Sequence, residues 1–186
     1  MVEVVEYRAE WPRRFVVLRT AYTGALLAAG VPHRIEHVGS TAVPGLAAKP
    51  VIDVDVVVDE SAVPAAVEAL AAIGFVPRGD LGIPGRQAFR TPERFAPSNT
   101  YVVADGSLAL RNHLGVRDAL RADDGLRDEY AAVKRRAAAE ASDIDAYLVQ
   151  KSAVLDRVLR RAGLSASERA AIAADTAGIT SRGAHG

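Results

Sequence analysis

Apolar positions recur along this chain with two periods, and the change from one to the other organises it. The first half alternates strand-like and helix-like stretches. Residues 2–7 read as an extended lead-in. Trp11-Pro12 opens a helix, since proline is tolerated in a first turn. Phe15, Leu18, Tyr22, Ala25, Leu26 and Ala29 keep one helical stripe, and Gly30 ends it. Residues 34–38 read as a strand, and 39–50 as a loop with two glycines and two prolines. Residues 51–58, VIDVDVVV, carry the strongest strand pattern in the chain; a β-branched run of this kind suits a central, buried position. A helix follows over 61–73, stopped by Gly74, then the start of a short strand at 75–76 and a turn-rich loop at 79–85. Residues 87–91 and 99–104 look like a hairpin with a proline-marked connection.

From residue 107 the period is helical. Leu108, Leu110, Leu114, Leu120 and Leu126 are the apolar anchors, interrupted at Asp123-Asp124-Gly125. A second helix is expected over 126–141, and a third over 144–162 capped by Ser142-Asp143. A short helix over 165–174 and a loose tail over 178–186 complete the pattern. The fold class is therefore α/β (α+β). A mixed sheet with flanking helices is expected over 1–106, a helical segment packed on it over 107–163, and a short helix and tail over 164–186.

Composition narrows the function classes. The length of 186 residues favours one domain with an appended helical part, and a 49% hydrophobic content supports a proper core. Positive and negative residues balance at 23 each, so no global charge demands a nucleic acid or an anionic membrane. The absence of cysteine excludes disulfides, thiolate catalysis and cysteine zinc sites. His33, His37, His113 and His185 are scattered, and none pair at the spacing of a helical zinc motif. The amino-terminal stretch is charged, and no apolar run approaches the roughly 18 residues of a membrane span. The cytoplasm is the default location.

The candidate chemistry begins with Asp53 and Asp55. Residues two apart on a strand point to the same face, so two carboxylates sit side by side within a run of valines. Burying carboxylates is costly unless something compensates, and the usual solution is a hard cation such as magnesium or manganese shared with substrate phosphates. The loop before this strand fits the same idea. Gly39 lets a backbone approach a phosphate closely, and Ser40 and Thr41 add hydroxyls and amides. The spacing is informative: a hydrophobic residue, Gly39-Ser40, residues 41–52, then Asp53-Val54-Asp55-Val56.

This arrangement resembles the motif of the nucleotidyltransferase superfamily. The longer text EHVGSTAVPGLAAKPVIDVDVVV at 36–58 closely resembles the GrpB family within it. GIPGR at 82–86, Phe89-Arg90, Tyr101-Val102, Leu114, Arg117-Asp118, Leu120-Arg121, Tyr130, Lys134, Tyr147 and Lys151 continue the match, which covers about 5–163. The resemblance implies a nucleotidyltransferase-like sheet in which Asp53 and Asp55 hold metal and act catalytically. It also implies that Gly39, Ser40, Thr41, Lys49, Arg86, Arg90, Arg117 and Arg121 bind nucleotide phosphates. His37, Asn99, Tyr101, Asp118, Lys134, Tyr147 and Lys151 are implied as cleft lining. On its own Lys49 reads equally as a solvated loop lysine, and His37 reads first as a packed strand residue. A third carboxylate, which the wider superfamily carries on a later strand, is missing from 99–103; Asp105 is the nearest acid.

The resulting expectation is a Mg-dependent (or Mn-dependent) enzyme. It binds a nucleoside triphosphate, ATP as the first guess, and transfers a nucleotidyl group to a small-molecule acceptor, carboxylate adenylation being one form. The alternative is a non-catalytic module binding a nucleotide or a CoA-like ligand. No nucleic acid or membrane partner is expected, and nothing in the sequence sets the oligomeric state. Ser40 lacks a His/Asp arrangement, and the Walker and GxGxxG spacings are absent, which removes the serine hydrolase, P-loop kinase and dinucleotide-binding classes.

Overall fold

The computed structural model describes residues 4–139 and 144–183, with the side chains within 137–151 and 176–183 outside the description. The chain divides into two compact units: Ala9–Val38 with Val51–Arg111, and Met1–Arg8 with Gly39–Pro50 and Asn112–Gly186. The sequence pattern puts its boundary at 106/107. The contacts put it at 111/112 and also group the first eight residues and the Gly39–Pro50 loop with the helices.

The first unit is built on a five-stranded sheet of order β1-β2-β5-β4-β3. Its strands are β1 (Arg34–Val38), β2 (Ile52–Val58), β3 (Val76–Gly79), β4 (Arg86–Arg90) and β5 (Ser98–Ala104). β2 and β5 are parallel and the other neighbours antiparallel. β2 is interior, as its valine run requires: Ile52, Val54 and Val56 are fully buried. Two helices, α1 (Trp11–Ala28) and α2 (Val63–Ala72), cover one face of this sheet. The α1 stripe buries Trp11, Leu18, Tyr22 and Leu26, about 1.5–3 kcal/mol for each large apolar side chain. The Tyr22 hydroxyl pairs with Thr100 Oγ1 at 2.9 Å, and Tyr22, Phe75, Phe89 and Phe95 pack edge-to-face or stacked. Thr100 pairs with Val54, so α1 lies on the Val54 face and the odd-numbered positions of β2 occupy the other.

The second unit holds the rest of α3 (Leu108–Ala122), then α4 (Asp124–Ala139), α5 (Ile144–Arg161) and α6 (Ala166–Gly183). Val43 and Leu46 of the loop enter a core formed by Ala119, Leu120, Ala131, Val154 and Val158. Within the expected extended lead-in, Val5 and Ala48 exchange backbone hydrogen bonds at 2.9 Å. α4 starts two residues earlier than the pattern suggests because Asp123 caps it, accepting from Leu126 N at 2.9 Å. The expected cap Ser142-Asp143 lies outside the described residues. α6 continues to Gly183 rather than ending near Ala174; Gly178 within it costs about 1 kcal/mol relative to alanine, too little to end a helix. The expected tail is thus helical as far as Gly183. Among the described residues no helix is long and apolar enough to cross a membrane.

Candidate functional site

Register places the acids. In β1 and β2, Val38 faces Asp53 and Glu36 faces Asp55; in β2 and β5, Asp53 faces Asn99 and Asp55 faces Tyr101. Paired residues share a face. The helix-free face of the sheet within this unit therefore carries Asp53 beside Asn99, then Glu36, Asp55 and Tyr101, then Arg34, Val57, Val103 and Arg86. Asn99 Nδ2 donates to Asp53 Oδ1 at 2.8 Å. Asp55 is fully buried and Asp53 half-buried. The Arg86 guanidinium lies over the Tyr101 ring, 4.6 Å from its centroid. Burial first, and then the charge of Asp53, push the Tyr101 phenol above its ordinary range; Arg86 acts in the opposite direction and Asp55 in the same one. By alternation Arg90 shares this face with Arg86, and it is exposed.

His37 is not part of this group. It faces Val54 across β1 and β2 and stacks on Phe15 of α1, with ring centroids 4.7 Å apart. Its side chain therefore belongs to the helix-covered face, as a packed strand histidine. Asp105 is also remote. Its backbone N–H bonds Val58 O at the far end of β2, six residues beyond Asn99 or about 20 Å along the strand. Its carboxylate pairs with Arg34 at 3.0 and 3.1 Å, which holds it below the usual carboxylate range. Glu36 is the acid that sequence reading passed over. Strand alternation would have placed it on the Asp55 face once the β1–β2 register was known. Its carboxylate is 3.5 Å from Arg34 Nε.

The expected divalent cation can be tested against this donor set. Asp53 and Asp55 present hard oxygen ligands from one strand, and Asn99 steadies one of the oxygens. Among the described residues no group of three or more His, Cys, Asp or Glu is arranged to hold a metal ion. This set fits a single magnesium or manganese ion whose shell is completed by substrate phosphate oxygens.

The other unit contains the Gly-Ser loop. Gly39 has φ 71° and ψ −173°, a region closed to other residues, and it leads into the 3₁₀ turn Ser40–Ala42. Lys134 Nζ donates to Ser40 Oγ at 2.7 Å. A hydroxyl that accepts from an ammonium keeps its own proton for another acceptor. Arg121 Nε and Nη2 both donate to Ala42 O, at 2.9 and 2.6 Å, bracing the turn. Arg117 is paired with Asp118 through Nε at 2.7 Å, and Asp118 is exposed. Thr41 is buried and Lys49 exposed. The side chains of Tyr147 and Lys151 lie outside the described residues.

The mixed sheet with its flanking helices has a nucleotidyltransferase-like fold. It is similar to the Cid1 poly(U) polymerase with MgGTP bound: TM-score 0.52 and 20% identity, covering 72% of this chain and 44% of that one. The chain belongs to the GrpB family, whose profile, "GrpB protein", matches residues 1–161. The crystal structure of GrpB from Enterococcus faecalis aligns with TM-score 0.70 and 29% identity, covering 86% of this chain and 96% of that one. Among relatives, UPF0157 protein SCO7215 of Streptomyces coelicolor is 36% identical over 160 residues, covering 85% of this chain and 82% of its own length. UPF0157 protein YqkA of Bacillus subtilis is 33% identical over 156 residues, 81% of this chain but 44% of its own length. A dephospho-CoA kinase of Mycolicibacterium paratuberculosis is 33% identical over 157 residues, 69% of this chain and 38% of its own. The chain thus spans less than half the length of these last two.

Proposed function

We propose that this chain binds a nucleoside triphosphate with one divalent cation and transfers a nucleotidyl group to a small-molecule acceptor. The observation that carries the reading is the placement of Asp53 and Asp55 on one face of β2, with Asn99 donating to Asp53 at 2.8 Å. Magnesium or manganese bound by the two acids would neutralise charge developing on the phosphates. Asp53, steadied by Asn99, and the buried Asp55 would be the residues that hold such an ion. Gly39 and Ser40 take phosphate oxygens, an assignment that rests on the sequence motif. The Ser40 hydroxyl, accepting from Lys134, is left to donate its proton to an anion. Arg121 keeps the 3₁₀ turn in shape through Ala42 O. Lys49, Arg90 and Arg117 are the remaining cations proposed for phosphate charge.

The acceptor oxygen or nitrogen bonds to the α-phosphorus as the bridging α–β P–O bond breaks, and pyrophosphate leaves. A hydroxyl or amine acceptor releases its proton to solvent, since no side chain is assigned as a general base; a carboxylate acceptor releases none and yields an adenylate. The chain's part is positioning and electrostatics. A small acceptor is favoured over a polymer because net charge is zero, with 23 residues of each sign, and no basic stripe interleaved with aromatics runs along the sequence. A cytoplasmic setting is proposed with it.

The test is incubation with each labelled nucleoside triphosphate, magnesium and a metabolite pool, scanning for pyrophosphate and adducts. Pyrophosphate release that disappears in Asp53→Asn supports transfer. A second reading, a non-catalytic module for a nucleotide or CoA-like ligand, is favoured by one observation: Asn99 stands in β5 next to Asp53, where a third acid would be. The resemblance to a dephospho-CoA kinase points the same way. Triphosphate binding without pyrophosphate release under any acceptor would favour that module.

A further inference from the structure

Arg86 is a buried cation that makes no direct ion pair among the described residues, although the charges of Asp53 and Asp55 reach the same Tyr101 phenol. It is 7% exposed, and its Nε has no hydrogen-bond partner among the described residues. Nη2 reaches Asp80 O only at 3.5 Å. Its guanidinium also lies over the face of Tyr101. Taking a guanidinium out of water is costly unless an anion or well-formed hydrogen bonds replace the water, and attraction to a phenol ring offsets only part of that. The backbone that delivers it is nevertheless tightly held. Gly85 O accepts from Ala104 N at 3.0 Å, and Asp80 closes the preceding turn by accepting from Gly82 N at 2.7 Å and Ile83 N at 3.1 Å. The protein maintains a buried guanidinium with an unpartnered Nε in a fixed position, and such a cost is characteristic of a ligand site.

The position along the sheet separates it from Asp53. Arg86 pairs with Val103, which pairs with Val57, four residues beyond Asp53 on β2, or about 13 Å along the strand. Its side chain leans back only as far as Tyr101, in the row of Asp55. Asp53 lies in the row of Val38, from which the chain runs into Gly39 and Ser40. The Tyr101 ring occupies one face of the guanidinium, and the buried Nε, which has no hydrogen-bond partner among the described residues, is directed in the guanidinium plane. An in-plane fork of that kind matches a carboxylate or a phosphate.

We propose that Arg86, seated on Tyr101, forms an oxyanion subsite that holds an acidic substituent of the small-molecule acceptor, separate from the phosphates of the nucleotide. Naming the occupant as the acceptor rests on the proposed transfer; the existence of the subsite does not. The acceptor class is then a small molecule that carries a carboxylate or a phosphate in addition to its nucleophile.

The experiment uses the full chain, with succinate and inorganic phosphate as probes. Thermal unfolding is followed by the fluorescence of Trp11, the single tryptophan. Mg·ATP affinity is measured by calorimetry on the same proteins. In the wild type, one probe should raise Tm saturably at millimolar concentration; a response to succinate alone marks a carboxylate acceptor, and to phosphate alone a phosphorylated one. Arg86→Met should abolish that response and leave Tm without probe equal to or above the wild-type value, with Mg·ATP affinity retained. No saturable response in the wild type would overturn the proposal. So would an Arg86→Met protein that melts lower yet still responds, which marks a structural cation. A tenfold or larger loss of Mg·ATP affinity in Arg86→Met would assign the residue to the nucleotide and overturn it as well. If the wild type shows an Arg86-dependent probe response but binds no Mg·ATP, the subsite stands and the transferase reading falls.

Discussion

Gly85→Ala should destabilise the sheet unit by about 2–5 kcal/mol, the sum of two effects that can be separated. Gly85 has φ 75°, and placing an L side chain in the left-handed region costs about 1–2 kcal/mol. The added Cβ would also lie 2.8 Å from Ser107 Cβ and 3.4 Å from Ser107 Oγ. Carbon atoms settle at about 3.5–4.0 Å, so Ser107 must move, at about 1–3 kcal/mol for an overpacked contact. Ser107 has little room to give, because its Oγ accepts from Leu110 N at 3.3 Å and its carbonyl from Arg111 N at 3.1 Å, at the start of α3. Gly106→Ala isolates the conformational part: φ is 74° there, and nothing lies within 4 Å of an added Cβ. Urea denaturation followed by Trp11 fluorescence reports the unit that contains both glycines. Gly106→Ala should lose about 1–2 kcal/mol and Gly85→Ala clearly more. Equal losses, or a Gly85→Ala loss below about 1 kcal/mol, would refute the steric reasoning.

Three further outcomes are expected. Tyr22→Phe removes the buried hydroxyl that pairs with Thr100 Oγ1 and should cost about 1–2 kcal/mol in the same denaturation assay. Asn99→Asp places a third carboxylate against Asp53 and should tighten manganese binding, measured by titration calorimetry, by about tenfold or more while lowering Tm without metal; unchanged affinity would contradict the site geometry. Asp156 is held below the usual carboxylate range by its hydrogen bonds to Arg160 and then Arg169. A depressed folded-state value contributes stability above the unfolded pKa of about 3.9 and loses it as pH falls through the folded value. The Tm deficit of Asp156→Asn should therefore be present at neutral pH and narrow below about pH 4.

The β2 strand and its two acids were legible in sequence because a β-branched run and a period of two are strong local signals. The β4–β5 pairing followed from two short strands around a proline-marked connection. What was not legible depends on register or on distant partners. His37 lies one residue from the acid-facing positions of β1, and only its pairing with Val54 puts it under Phe15. Glu36 was overlooked for the converse reason. Arg117 and Arg121 share a helix spacing, yet Arg117 pairs with Asp118 while Arg121 braces Ala42 O, a partner 79 positions away that no local pattern announces. The Gly39–Pro50 segment reads as a loop marked by two glycines and two prolines, but Val43 and Leu46 enter the helical core. The Gly-Ser motif was thus readable as chemistry and unreadable as packing.

Whether Asp53 and Asp55 bind a metal-nucleotide complex is decided by titrating ATP into the wild type and Asp53→Asn, each with and without magnesium. Expected are magnesium-dependent binding to the wild type, weak binding of magnesium alone, and at least a tenfold loss of Mg·ATP affinity in an Asp53→Asn chain that still folds cooperatively. Binding of ATP that is indifferent to magnesium, or an Asp53→Asn protein that binds Mg·ATP as the wild type does, would contradict binding at these two acids.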